Sequence, residues 1–215
     1  DPWLLNCMNG VIDLRIGQLL PHDPRYMITK IVPATYHPDA MCPTWDDFLL
    51  TIMGGNDEMI RFLQRAIGYS LTGDTREQCF FILYGSGANG KSTFLNPVIR
   101  LLNDYARQTP PDTFLSLKRR GINNDLARLK GVRFVTATEP EANQSFAEGV
   151  LKQITGGDTI TARYLHQEYF DFIPAFKLFL ATNHKPHVKG TDTGIWRRIR
   201  LIPFEVTIPK EQRDH

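Results

Sequence analysis

The stretch FFILYGSGANGKSTFL, residues 80–95, sets a run of large apolar side chains against a loop of small and polar residues, then resumes with a second apolar run. From Gly85 to Ser92 the loop matches G-x-x-x-x-G-K-[ST]. The flanks are the ones this pattern needs, a buried strand before the loop and a helix after it. Glycines at 85, 87 and 90 let backbone N–H groups turn inward around anionic oxygens, where a Cβ would clash. The helix opening at Lys91 aims its positive dipole end at the same point. The pattern predicts a triphosphate cradle in which Gly85, Ser86, Gly87, Ala88, Asn89, Gly90, Lys91, Ser92 and Thr93 contact nucleotide. Lys91 would reach the β- and γ-phosphates of ATP, and the Ser92 hydroxyl would ligate Mg²⁺. Pro97 removes an N–H inside the following helix, so a kink or an early end is expected there.

Around this loop the chain divides by pattern. Residues 1–43 are dense in turn formers around short apolar pieces such as GVIDL, which predicts a small irregular or β-containing lead-in. Residues 44–71 read as two helices, the first capped by Thr44, the pair broken at Gly54-Gly55, the second capped by Asn56 or Asp57. After residue 78, apolar runs recur at CFFILY, VRFVTA, FKLFLAT and RIRLIPF, with helical stretches at 91–103, 124–130 and 146–154 between them. Continuous apolar strands alternating with helices predict an α/β fold whose mostly parallel central sheet is covered on both faces. The expected division is a lead-in with a small helical subdomain over 1–75 and an ATPase core over 76–215.

Charge sharpens the picture. The net charge of +2 splits into −3 over residues 1–114, +6 over 115–200 and −1 over 201–215. A basic second half favours a polyanionic partner. Cys7, Cys42 and Cys79 form no CxxC pair, which speaks against a disulfide scaffold or zinc site and for a reducing, cytoplasmic setting. No apolar run approaches the ~20 residues that span a bilayer. The chain begins at Asp1 and stops in the charged stretch PKEQRDH, which reads as an excised fragment.

A nucleotide hydrolase also needs an acidic group to hold Mg²⁺ and polarise water. VRFVTATEPEAN ends an apolar run at Glu139, with Glu141 two residues on, and FKLFLATNH ends another at Asn183, which can orient water against a γ-phosphate. Read alone, Asn183 at a strand end is better taken as a turn former.

The segments YGSGANGKSTFL, TATEPE, LKQITGGDTITARYLHQEYFDFIPAFKLFLATNH and GIWRRIRLIPF occur in this order and spacing. Together they resemble the superfamily 3 helicases, in the phage and plasmid primase-helicase branch that includes the poxvirus primase-helicase. The lead-in resembles the segment preceding the motor in that branch. The resemblance implies an AAA+-like, three-layer P-loop fold that assembles as a homo-hexameric ring and hydrolyses ATP while moving 3′ to 5′ along single-stranded DNA, with a possible primase domain in the same chain. By the same resemblance Gly85–Ser92 is motif A, and Glu139 lies in motif B with Ser92 as its partner at the metal. Lys152, Gly156, Gly157 and Asp158 open motif B′, and Asn183 is motif C. Arg197 and Arg198 fall where an arginine finger reaches a neighbouring subunit. Pro140 separates the two glutamates, a departure from the paired-acid form of motif B that leaves either as the activator of water.

GDTITARYLHQEYFDFIP alternates as two strands, about 159–165 and 169–173, around a short tip. In the family such a hairpin faces the channel and grips DNA. Lys152, Arg163 and His166 are the candidate phosphate contacts and Tyr164 a base-stacking one, although an aromatic in a hairpin also packs on its sheet. Lys118, Arg119 and Arg120 form a cationic trio that either lines a channel or is a solvated surface. Two other functions fit the loop: a loader-type AAA+ module that does not unwind DNA, and a P-loop small-molecule kinase, in which the hairpin has no place.

Overall fold

The structure is a computed structural model that describes residues 1–115, 124–138, 145–184 and 193–213. Strands β1 (Leu4–Cys7), β2 (Gly10–Asp13) and β3 (Gln18–Leu20) form an antiparallel meander. Helix α1 (Pro43–Ile52) starts two residues earlier than a cap at Thr44 predicts, with Cys42 at the cap position. Pro43 takes the first helical position, where its missing N–H has no helical partner to lose, and Thr44 is not the cap. Gly54 and Gly55, at φ 58° and 75°, make the break. The Asn56 side chain accepts from the Met59 N–H at 3.1 Å and opens α2 (Asp57–Leu71).

The remainder alternates strand and helix: β4 (Phe80–Tyr84), α3 (Lys91–Leu102), β5 (Ala106–Gln108), α4 (Asn124–Ala127), β6 (Phe134–Thr138), α5 (Glu148–Gly156), β7 (Ile160–Ala162), β8 (Phe170–Phe172), β9 (Lys177–Thr182), α6 (Thr193–Trp196) and β10 (Ile199–Pro203). Five of these strands form one sheet in the order β10-β4-β9-β6-β5, with every neighbouring pair parallel. The register aligns Tyr84 with Thr182 and Pro203, and Ala181 with Thr138, so four strands end level along one edge. Loops leaving that edge meet above the sheet, the usual place for a ligand in a parallel α/β fold. Helix α3 runs through Pro97 to Leu102 and does not end early. Pro97 and Thr93 both lie on its exposed side, where water can meet the carbonyl the proline leaves unbonded.

Alternation along the strands builds three layers. Phe81, Leu83, Phe134, Phe179 and Ala181 face one core, shared with Leu49 and Ile52 of α1, Leu63 of α2, Phe94 and Leu95 of α3, and Leu5 and Ile12 of the meander. Its centre is aromatic, with Phe179 lying 4.5 Å from Phe81 and 4.6 Å from Phe134 between ring centroids. Phe80, Ile82, Val135, Ala137, Leu178 and Leu180 face the opposite core, closed by Leu151 and Ile154 of α5 and by Ile160, Ala162 and Phe172 of the β7–β8 hairpin. The expected boundary at residue 75 therefore marks a change of layer, because residues on both sides of it fill one core.

At the opposite end of the sheet two buried cations hold that layer in place. The Lys177 ammonium donates to the carbonyls of Thr72 at 2.5 Å and Asp74 at 3.1 Å, over the Tyr69 ring. The Arg133 guanidinium donates to Leu71 O at 2.6 Å and Leu4 O at 2.8 Å, over the Tyr105 ring. Arg133 thus satisfies the last carbonyl of α2, and Lys177 those of its cap residue Thr72 and of Asp74 beyond it, at the negative end of the helix dipole. Burial, with Arg133 adding to it, lowers the Lys177 ammonium from an ordinary 10.5 to about 7. Between those values the unfolded chain carries a proton that the folded chain has shed, so this group's contribution to stability rises with pH. The urea midpoint of the wild type relative to Lys177→Met is therefore expected to rise from pH 7 to pH 9. Parallel pH profiles would contradict that reading.

Candidate functional site

The loop after β4 is closed by its own side chains. Gly85 donates its N–H to Thr182 O at 3.2 Å, continuing the strand pairing. A Cβ at Gly85 would stand 2.2 Å from both Phe204 O and Asn89 Nδ2, so only glycine fits beneath the loop. Gly90, left-handed at φ 83°, turns the chain into α3 where a Cβ would come within 2.7 Å of Ile52. Asn89, 2% exposed, spans the interior of the loop. Its Nδ2 donates to Phe204 O at 2.9 Å, and its Oδ1 accepts from Lys91 Nζ at 2.9 Å. Ile208 N donates to Ala88 O at 2.9 Å, so the backbone after β10 is bonded to the loop from the other side.

Lys91 is gathered at the mouth of this arrangement. Its ammonium donates to Gly85 O at 2.7 Å, to Asn89 Oδ1 and to Asn183 Oδ1 at 3.0 Å. Asn183 directly follows β9, so the two strand-end motifs expected from sequence meet at one cation. A cavity of about 290 Å³ opens beside it, lined by residues 87–93, Thr138, Ala181, Thr182 and Asn183. Seven of the nine predicted nucleotide contacts line that space. Gly85 lies beneath it and Ser86 is exposed outside it. The cavity combines a cation, a helix N-terminus and a hydroxyl, Ser92, at one wall, which fits a phosphate chain. Thr138 reaches the cavity at the end of β6; Glu139 and Glu141, which follow it, lie outside the described residues. Among the described residues no cluster of His, Cys, Asp and Glu is arranged to hold a metal ion.

The two arginines before β10 part company. Arg198, 8% exposed, donates from Nε to Thr155 Oγ1 at 3.0 Å and also bonds Gly194 O, bracing the end of α5 against α6. Arg197 is exposed and donates to Gln78 Oε1 at 2.7 Å. Of the two, Arg197 is exposed and Arg198 is buried.

The B′ segment forms the expected hairpin with shorter strands, three residues each, in the register Ile160↔Phe172. Its tip turns through a Gln167 N to Tyr164 O bond of 3.1 Å, with His166 left-handed at φ 61° and exposed. Tyr164 packs: its hydroxyl donates to Ala127 O at 3.1 Å, and its ring lies 5.6 Å from Phe170. Arg163 lies half-buried on the hairpin, and Lys152 half-buried on α5. Lys118, Arg119 and Arg120 lie outside the described residues.

A level-ended parallel sheet with a glycine-rich loop closing on a lysine defines an α/β protein of the P-loop-like class. Within that class the chain belongs to the family described as "Family of unknown function (DUF5906)", whose model matches residues 83–198. Residues 1–54 match the model "D5 N terminal like". The chain is 34% identical over 210 residues to a putative helicase of Acanthamoeba polyphaga mimivirus, covering 94% of the chain and 22% of the relative. It is 31% identical over 153 residues to a putative helicase of Frog virus 3 (isolate Goorha), covering 68% of the chain and 16% of the relative. The chain thus spans about a fifth of the length of the curated relatives it matches. Among solved structures, the apo C-terminal region of NrS-1 shares the fold at a TM-score of 0.62 and 14% identity, over 77% of this chain and 38% of that one. The resemblance to the primase-helicase branch of superfamily 3 stands, and the chain is helicase-related. Among the described residues no helix is long and apolar enough to cross a membrane.

Asn89 is the residue whose role the sequence did not disclose. Replacing it with Ala leaves Phe204 O and part of the Lys91 shell unpaired in a buried place, which costs about 1–3 kcal/mol. Urea denaturation of Asn89→Ala is expected to show a loss of that size, whereas a solvent-facing nucleotide contact would lose nothing in the absence of ligand.

Proposed function

We propose that this chain is the ATP-driven motor segment of a superfamily 3 DNA helicase from a viral, phage or plasmid replication system. It couples hydrolysis in a hexameric ring to movement along single-stranded DNA. The observation that carries the reading is the Lys91 ammonium, held at the mouth of a loop cavity together with Asn183 from the adjacent strand.

Each residue takes a role from its placement. Inward amides of residues 87–92 bind the phosphate chain, and Lys91 exchanges the neutral oxygens of Gly85, Asn89 and Asn183 for anionic phosphate oxygens. Mg²⁺, held by Ser92 and Glu139, would supply neutralisation of charge on the phosphates. Asn183, released from Lys91 as the nucleotide enters, is placed to orient water. Arg197 is the finger offered to a neighbouring subunit; Arg198 keeps the strand that carries it in position. The basic middle of the chain and the hairpin serve the nucleic-acid strand.

Lys91→Ala is expected to abolish binding of ATP–Mg²⁺ by calorimetry while the protein stays folded, with a melting temperature lowered by the loss of its buried hydrogen bonds. Retained binding would sink the reading. Arg197→Ala is expected to bind ATP normally while its hydrolysis in the assembled state falls by about 10³-fold or more. Unwinding of a forked duplex separates a helicase from a loader-type module.

A further inference from the structure

We infer that Thr182 is a positioning residue of the phosphate site: its hydroxyl bridges the backbone of His184 and so fixes the bend from which the Asn183 side chain reaches Lys91. The inference rests on the motor reading and deepens it, by naming what holds Asn183 in place to orient water.

Strand alternation divides the labour between the two neighbours. Phe179 and Ala181 face the core shared with α3, and Leu178 and Leu180 face the opposite core. The same alternation carries Asn183 to the α3 side, where its Oδ1 accepts from Lys91 Nζ at 3.0 Å, and turns the Thr182 side chain the other way. Thr182 is 2% exposed. Its hydroxyl therefore stands behind the site and works through the backbone.

That hydroxyl closes a tight local ring. Thr182 Oγ1 donates to His184 O at 2.8 Å and accepts from His184 N–H at 3.1 Å. Hydroxyl bonds to the main chain a residue or two onward are a general device for fixing a turn. Both bonds land on His184, so the backbone of the intervening Asn183 is held between two anchored residues. The near end is anchored as well. Thr182 O accepts from Gly85 N–H at 3.2 Å, and Gly85 O accepts from Lys91 Nζ at 2.7 Å. The bonds thus run in a circuit from Gly85 through Thr182 and Asn183 to Lys91, and back to Gly85. Valine would meet the packing and strand preference of this buried position, so what the hydroxyl adds is the bridge. Precision matters here, because a group displaced by about 1 Å from a reacting centre loses up to about 10²-fold in rate.

The test compares Thr182→Val, Thr182→Ser and Asn183→Ala. In the ligand-free protein, exchange of the His184 amide, read by NMR, is expected to quicken about tenfold or more in Thr182→Val and to stay slow in Thr182→Ser. With single-stranded DNA present, the kcat of Thr182→Val for ATP hydrolysis is expected to fall about tenfold while its KM for ATP stays within about twofold of wild type. Thr182→Ser should recover most of that loss. In the Asn183→Ala background Thr182→Val should cost nothing more, since a residue acting through Asn183 has nothing left to position. Wild-type kcat in Thr182→Val, an equal loss in both backgrounds, or a His184 amide that exchanges no faster overturns the inference and leaves the motor reading intact. Should Thr182→Val melt below the assay temperature, His184→Pro removes the same N–H donor from the exposed side, and an unchanged kcat there overturns the inference too. A wild type that hydrolyses no ATP with single-stranded DNA present overturns both.

Discussion

One ammonium draws together three stretches of chain that are far apart in sequence. Lys91 is bonded to the carbonyl that ends β4, to an amide inside its own loop and to an amide at the end of β9. A buried ammonium is costly unless its protons are satisfied, and here neutral oxygens satisfy them. The arrangement gathers the loop and the end of β9 around the cavity. The level register of the strands and the buried Asn89 each serve to keep those oxygens in place.

Much of this was legible in the sequence, for reasons that differ by element. The four long sheet strands announced themselves because parallel strands are buried on both faces and so are continuously apolar. The loop was legible because its chemistry restricts residue type at fixed spacing. Strand β5, three residues reading ARQ, gave no signal, since an edge strand that short has too few side chains to show a period. The start of α1 was misplaced by two residues because a first-turn proline competes with the capping pattern. The run through Pro97 was missed because the missing bond falls on the solvent side, where it costs least.

The side-chain roles divide in the same way. Sequence placed Lys91 and Asn183 at the site but could not show that they touch, which depends on the register between β4 and β9. It could not separate Arg197 from Arg198, adjacent residues that differ only in which way the short turn after α6 points them. It favoured Tyr164 as the stacking residue at the hairpin, whereas the fold sets that ring beside Phe170 and bonds its hydroxyl to Ala127 O. Asn89 looked like one more polar loop residue, and only its burial reveals it as the loop's internal tie.

The sharing of one core between the opening layer and the sheet has a consequence for biosynthesis. As the chain leaves the ribosome, α1 and α2 emerge with Leu49, Ile52 and Leu63 uncovered, and the strands that bury them follow only later. The carbonyls at the end of α2 wait longer still, until Arg133 and Lys177 arrive. This stretch is thus translated with its apolar face uncovered, and it packs only once the later strands of the sheet have been made.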